Sequence, residues 1–91
     1  MLSFLPKEPH HIIEELRIKF RERRRTLRYT QKELSTRSGV SLGSLKRFEY
    51  SGDISIESLL KLAFILECLG DFEGVCVPQK KVYGSLEEVL R

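Results

Sequence analysis

Apolar residues recur at spacings of three and four through most of the chain, with charged residues between them. This periodicity is typical of amphipathic helices and predicts an all-α protein. The first helix is predicted from His10 to about Leu27. Further helices are predicted at 31–38, at 42–50 and from Ile56 to about Leu69, with a short fifth helix at 71–75. The expected fold is a compact bundle of about five helices.

The two ends of the chain depart from this pattern. Residues 1–9 contain two prolines and are predicted to form an N-terminal arm before the helical domain at 10–73. Residues 74–91 are predicted to form a C-terminal tail, extended after Pro78 and ending in a short helix that Ser85 caps. Two interpretations are open for the arm and the tail. They complete the core or the dimer, or they contact a protein partner.

Capping residues mark where the two central helices, at 31–38 and 42–50, begin and where the first of them ends. Thr30, followed three residues later by Glu33, forms a capping box at the start of the first of them. Gly39 suits the left-handed residue that closes this helix, and Ser41 can cap the next one. Val40 is an apolar residue in a polar turn and is expected to plug the angle between the helices. The segment therefore predicts a helix, a three-residue turn and a second helix.

The helix at 42–50 has two different faces. Leu45, Phe48 and Glu49 share one side at spacings of three and four and are expected to pack inward. The opposite side is expected to face solvent and carries Gly43, Lys46, Arg47 and Tyr50.

These residues resemble the lambda-repressor-like helix-turn-helix family of DNA-binding regulators, over about Phe20 to Leu66. The motif residues are Thr30-Gln31, Leu34, Gly39-Val40-Ser41, Leu45, Phe48-Glu49, Leu59, Leu62-Ala63 and Leu66. The chain departs from the family pattern at Ser35, where alanine is usual, at Arg28, where glycine is common, and at Gly43. The Ser35 hydroxyl is expected to bond back to the preceding helical turn.

The resemblance implies that the helix at 42–50 docks in the major groove of double-stranded DNA. Arg47 can make a bidentate contact with guanine, Lys46 can reach a base or a phosphate, and Leu42 can touch a thymine methyl. The candidate base-reading residues are Ser41, Leu42, Gly43, Ser44, Lys46 and Arg47. The candidate phosphate contacts are Arg23, Arg28 and Gln31.

An ion pair is expected between the first helix and the recognition helix. Arg24 falls on the inward stripe of the first helix. In the family that this chain resembles, the arginine at this register pairs with the glutamate that closes the recognition helix, here Glu49. The alternative for Glu49 is a surface position.

Charge is distributed unevenly along a chain whose 91 residues correspond to one small domain. The net charge is +3, but residues 17–47 carry eleven Lys or Arg and two Glu, so this segment is +9 and the rest sums to −6. The arginine run at 21–28 alone is compatible with a solvated helix face. Its position directly before the motif favours phosphate neutralisation by this run.

The helix at 56–69 is apolar around most of its circumference. Such a helix lies either at the centre of a core or in an interface. In so small a domain, burial between subunits favours a homodimer. The candidate interface residues are Phe64, Ile65, Leu69 and Phe72.

Catalytic and metal chemistry have little support in the sequence. Cys68 and Cys76 lack metal-ligand spacing, and a site at His10, His11 and Glu14 would need further ligands. No metal and no cofactor are therefore predicted. A nucleophile, base and orienting acid at a recognisable spacing are missing, so no enzyme is expected. No apolar run is long enough to cross a membrane, and a reducing cytoplasm is the expected compartment.

The expected function is sequence-specific regulation of transcription, as a repressor that binds an inverted-repeat operator as a dimer. An alternative is an antitoxin that binds a toxin partner and regulates its own operon. The tail from Gly74 and the apolar arm motivate this alternative, since a DNA-binding fold needs neither of them.

Overall fold

The computed structural model describes residues 6–78, which form four α-helices and one 3₁₀ helix and contain no strand. The helices are α1 (Pro9–Thr26), α2 (Gln31–Ser38), α3 (Leu42–Ser51), α4 (Ile56–Ile65) and the 3₁₀ helix η1 (Leu69–Gly74). The predicted all-α architecture of about five helices is confirmed. Residues 1–5 of the predicted arm and 79–91 of the predicted tail lie outside the described residues.

Side-chain caps set the start of three helices. Thr30, Ser41 and Ser55 each accept a hydrogen bond from the backbone N–H three residues later. The Glu33 carboxylate accepts from the Thr30 N–H at 2.8 Å, which completes the predicted capping box. Gly39 closes α2 with a φ of 80°, a conformation that costs a residue with a Cβ more than it costs glycine. The predicted bounds of the two central helices therefore hold to within one residue.

The core lies where the four α-helices meet. Phe20 and Phe48 form an edge-to-face pair with ring centroids 5.4 Å apart, joining α1 to α3. Burial of a large apolar side chain contributes about 1.5–3 kcal/mol, so this small cluster supplies much of the stability. Its buried apolar members are Phe20, Leu34, Val40, Leu45, Phe48, Leu59, Leu62, Ala63 and Leu66.

Two serines hold the turn between α2 and α3. Val40 is buried there, as predicted, at 3% exposure. Its N–H donates to the Ser38 hydroxyl at 3.1 Å, and its carbonyl accepts from the Ser35 hydroxyl at 2.6 Å. The prediction that Ser35 bonds back to the preceding helical turn was wrong. The Ser35 hydroxyl instead donates to the Val40 carbonyl, a backbone acceptor in the turn. A buried carbonyl needs such a donor, because leaving it without a hydrogen bond is costly.

The predicted end of the last long helix was also wrong. Helix α4 stops at Ile65 rather than Leu69, because Glu67 adopts the left-handed conformation with a φ of 64°. The Cys68 N–H then donates back to the Ala63 carbonyl at 2.9 Å, as in a Schellman motif. Glycine usually takes this left-handed position, so a glutamate there left no local sequence signal for the end of the helix.

Arg28 takes the same conformation after α1. Its φ is 65°, and the N–H of Tyr29 returns to the Arg24 carbonyl at 3.0 Å. A side chain in this region costs about 1–2 kcal/mol relative to glycine. Arg28 therefore occupies a position that suits glycine, and the turn into α2 still forms.

A histidine takes part in the cap at the start of α1. Pro9 begins the helix, one residue earlier than predicted, and its fixed φ suits the first helical position. The His11 Nδ1 accepts from the Glu8 N–H at 2.9 Å. Between residues 6 and 78, no group of three His, Cys, Asp or Glu could hold a metal ion. No helix in this range is long and apolar enough to cross a membrane.

Candidate nucleic-acid interface

The outward face of α3 is exposed and cationic. Lys46 and Arg47 are exposed, and Tyr50 beside them is 85% exposed. Leu45 and Phe48 on the opposite face are each 1% exposed. The helical periodicity thus correctly separated the packing face of α3 from its outward face.

The start of α3 presents small groups. The Ser44 N–H donates to the Ser41 hydroxyl at 3.1 Å, and the two hydroxyls lie 2.9 Å apart, so both serines take part in the cap. Leu42 is half-buried. Gly43 is exposed, and a Cβ built on it would meet no atom within 4 Å. The backbone at Gly43 can therefore be approached closely by another molecule.

A buried bidentate ion pair joins α1 to α3, as the sequence predicted. The Arg24 Nε donates to Glu49 Oε2 at 2.7 Å, and Arg24 Nη2 donates to Oε1 at 3.0 Å. Arg24 is 8% exposed and Glu49 is 4% exposed. Charges taken out of water to this extent need their partner and further hydrogen bonds.

The further hydrogen bonds come from the turn before α2 and from α2 itself. The Arg24 Nη1 donates to the Tyr29 carbonyl at 3.0 Å, and the Gln31 Nε2 donates to Glu49 Oε1 at 2.9 Å. Gln31, predicted as a phosphate contact, thus commits one amide hydrogen to the ion pair and keeps its second N–H and its carbonyl oxygen. Arg28, also predicted as a phosphate contact, is exposed in the turn that leads to α2.

A second arginine of α1 holds the end of α3 and was missed from the sequence. The Arg17 Nη1 donates to the Glu49 backbone carbonyl at 2.9 Å. Its guanidinium also pairs with Glu14, a hydrogen bond that lowers the pKa of Glu14 and raises the pKa of Arg17. A Cβ added to Gly52 would lie 2.2 Å from Ile13 Cγ2, so α1 packs closely here. Arg17 lies two helical turns before Arg24 on the same stripe, which could have identified it.

A shallow, positively charged depression of about 300 Å³ lies beside α3. Four cationic side chains line it, and the one carboxylate in the lining, Glu49, is already paired with Arg24. The depression is therefore suited to an anion. It is lined by Arg21, Arg24, Arg25, Gln31, Lys46, Glu49 and Tyr50.

Arg23, the remaining predicted phosphate contact, lies elsewhere. Its Nη1 donates to the Leu66 carbonyl at 2.9 Å, at the end of α4. Successive helical residues are rotated by about 100°, so Arg23 and Arg25 lie on opposite sides of Arg24, with Arg21 on the side of Arg25. Arg23, which was predicted from the sequence as a phosphate contact, does not line the depression, whereas Arg21 and Arg25 do. A helical projection centred on the inward-facing Arg24 would have separated them.

The predicted dimer residues fall into two groups. Phe72 packs against Phe20, with ring centroids 6.3 Å apart, on the α1 side of the domain. Phe64 is 67% exposed and belongs to a separate groove of about 520 Å³. The groove is lined by Arg37, Ser38, Glu57, Leu60, Lys61, Phe64, Ile65 and Leu69.

The fold and this surface define a helix-turn-helix DNA-binding protein. The helix-turn-helix family model matches residues 20–68, more than half of the chain. The chain therefore belongs to this lambda-repressor-like helix-turn-helix family, whose members bind DNA and are not enzymes. Comparison with curated proteins and with solved structures found no match.

We predict that Arg24 and Glu49 are energetically coupled. Arg24→Met and Glu49→Leu should each lower the free energy of unfolding by about 3–5 kcal/mol, because each leaves a buried charge without its partner. The double variant should lose clearly less than the sum of the two, as chemical denaturation of all four proteins would show.

Arg25→Met is the matched control for this cycle. Arg25 is the next residue of α1, but its contact with Glu22 is 4.0 Å long and both side chains are largely exposed. Its replacement should change stability by less than about 1 kcal/mol. Additive losses for Arg24→Met and Glu49→Leu would contradict the coupling.

Proposed function

We propose that this protein is a sequence-specific transcriptional regulator that represses by binding an inverted-repeat operator as a dimer. The supporting observation is the exposed cationic face of α3 next to a depression that three arginines and Lys46 line. Family membership supplies the DNA-binding activity. The dimer, the operator symmetry and repression are the proposed parts.

In this proposal α3 enters the major groove with its outward face toward the bases. Arg47 makes the bidentate contact with guanine, and Lys46 contacts a base or a phosphate. Gly43 lets the start of the helix come close to the DNA, since a side chain there would occupy the space that the bases need. Ser41, Leu42 and Ser44 lie at the same end and add shorter contacts.

The depression beside α3 is the proposed phosphate site. A phosphate oxygen there would accept hydrogen bonds from the guanidinium groups of Arg21 and Arg25 and would lie near Lys46. The free N–H of the Gln31 amide and the positive start of α2 favour the same anion. We therefore replace Arg23 by Arg21 and Arg25 as phosphate contacts and keep Gln31 and Arg28.

A second copy of the chain is the proposed occupant of the groove around Phe64. Glu57 and Lys61, 3.3 Å apart, lie on this groove together with Arg37. A two-fold axis would bring the acidic group of one copy to the basic groups of the other and would bury both Phe64 side chains. Two recognition helices would then lie about 34 Å apart, one turn of DNA. Ile65 and Leu69 complete the apolar part of this interface.

The antitoxin alternative draws on the tail from Gly74, of which the structure describes residues 74–78. Copurification of a toxin with the chain would favour that alternative over a regulator without a protein partner.

We predict that Arg47 and Arg25 contribute to DNA binding in different ways. Arg47→Ala should cost about 1–3 kcal/mol on the duplex obtained by selection and should relax the preference at one base pair. Arg25→Ala should weaken the selected and a scrambled duplex to the same extent, because a phosphate contact carries no sequence information. Fluorescence anisotropy titrations with both duplexes measure these losses.

The salt dependence of the DNA affinity also distinguishes a base contact by Arg47 from a phosphate contact by Arg25. A dimer that contacts roughly 6–10 phosphates should lose about a thousandfold or more in affinity between about 50 and 200 mM salt. Arg25→Ala should reduce that slope by about one per subunit, whereas Arg47→Ala should leave it nearly unchanged. Equal losses on both duplexes for Arg47→Ala would make this residue a phosphate contact. Failure to select any preferred duplex would contradict the proposed function.

We predict a dimer in solution that Phe64→Glu dissociates. Sedimentation at micromolar concentration should give the dimer mass for the unsubstituted protein and the monomer mass for this variant, because a carboxylate would be buried in the interface. Ile56→Glu is the matched control, since Ile56 is 68% exposed on the same helix but does not line the groove. A monomer mass for the unsubstituted protein, or a dimer that survives Phe64→Glu, would contradict this interface.

A further inference from the structure

A second groove, of about 600 Å³, runs between α1 and η1. Its apolar part is contributed by both elements, and only Phe20 among these residues is fully buried. Ile18 is 38% exposed and Val75 is 62% exposed although both line the groove. The apolar lining residues are Leu16, Ile18, Phe20, Phe72 and Val75.

We propose that the C-terminal segment 79–91 of the same chain docks in this groove. The last described residue, Pro78, follows the groove residue Val75 by three positions. At about 3.3 Å per extended residue, the thirteen residues that follow are more than long enough to cross it. The groove therefore begins where this segment leaves the described domain.

The segment has the composition that such a groove requires. In the short helix that Ser85 is predicted to cap, the apolar residues Leu86, Val89 and Leu90 are spaced by three and four and form one stripe. Burying such a stripe against the groove would remove the exposed apolar surface of both.

The charges along the segment are opposite in sign to the net charges that it would meet as it crosses the groove from η1 to α1. Asp71 lies on η1, the element from which the chain leaves, whereas the α1 side of the groove carries Lys19, Glu22 and Arg23, a net charge of +1. The segment carries basic residues first, at 80–81, and acidic residues later, at 87–88. A segment that crosses from η1 to α1 thus brings its basic residues near Asp71 and its acidic residues to a side whose net charge is positive.

The free thiol of Cys68 lines this groove and can report its occupancy. Cys68 is half-buried, and burial raises the pKa of its thiol. Cys76, the other cysteine of the chain, is exposed and does not line the groove. Docking of the segment should cover Cys68 and leave Cys76 accessible.

The experiment measures the modification rate of Cys68 by an aromatic disulfide reagent in the full chain with Cys76→Ser. Adding Leu86→Asp should raise this rate by about tenfold, as expected if the segment is docked about nine-tenths of the time. Gln79→Ala, outside both the apolar stripe and the charged positions of the segment, is the control and should leave the rate unchanged. An added carboxylate near a thiol raises its pKa and slows the reaction, so faster modification reports opening.

The groove side is tested in the same way. Ile18→Glu should accelerate modification of Cys68, whereas Ile12→Glu should not, although Ile12 is 43% exposed on the same helix. Circular dichroism and thermal unfolding verify that each variant folds. Because the groove and the DNA-facing depression have different lining residues on α1, these variants should keep their affinity for DNA.

Three outcomes would overturn the proposal. The first is a folded Leu86→Asp variant in which the rate for Cys68 is unchanged. The second is protection that grows over a roughly hundredfold range of protein concentration, which would assign the groove to the segment of a second copy. The third is acceleration by Phe4→Asp but not by Leu86→Asp, which would assign the groove to the N-terminal arm.

Discussion

The buried contact between Arg24 and Glu49 is the constraint on which the geometry of the DNA-facing surface depends. It connects the end of α1 to the end of α3, and Gln31 extends it to the start of α2. Each of the three helices therefore contributes one polar side chain to a single network. Because isolated helices of eight and ten residues are marginal in water, this network and the apolar core together determine the angle at which α3 is presented. Arg17 adds a bond to the backbone of Glu49 from the same stripe of α1.

Helix α1 divides the remaining cations between two sides of the domain. Arg21 and Arg25 line the depression beside α3, while Arg23 bonds the end of α4 and lines the groove against η1. The rotation of about 100° per residue produces this division within five consecutive positions. A run of arginines that reads as one basic patch in the sequence thus serves two surfaces. Only the first of these surfaces is proposed to meet phosphate, and the second is proposed to hold the end of the chain.

Features with a local or periodic signal could be predicted from the sequence. The capping box at Thr30, the left-handed Gly39 and the inward stripe that contains Arg24 all follow from short-range rules, and the structure confirms each of them. The end of α4 could not be predicted in the same way, because Glu67 takes a conformation that glycine usually adopts. The helical rotation gives the side of α1 on which Arg23 lies, but its hydrogen-bond partner could not be predicted, because the Leu66 carbonyl is 43 positions away in the chain. Ser35 belongs to this second group, since its partner is a carbonyl that becomes buried only when α2 and α3 pack. Whether the assigned residues contact bases, phosphates or a second copy stays a prediction.

The most direct test of the central claim is a solution NMR titration of the isotope-labelled full chain with its selected duplex. If α3 is held by the Arg24–Glu49 network as the DNA-reading helix, the largest amide shift changes should occur at Gly43, Lys46 and Arg47 and at the start of α2. The amides of η1 should change little, because η1 lies against the other side of α1. Largest changes in η1, with α3 unaffected by the duplex, would contradict this account.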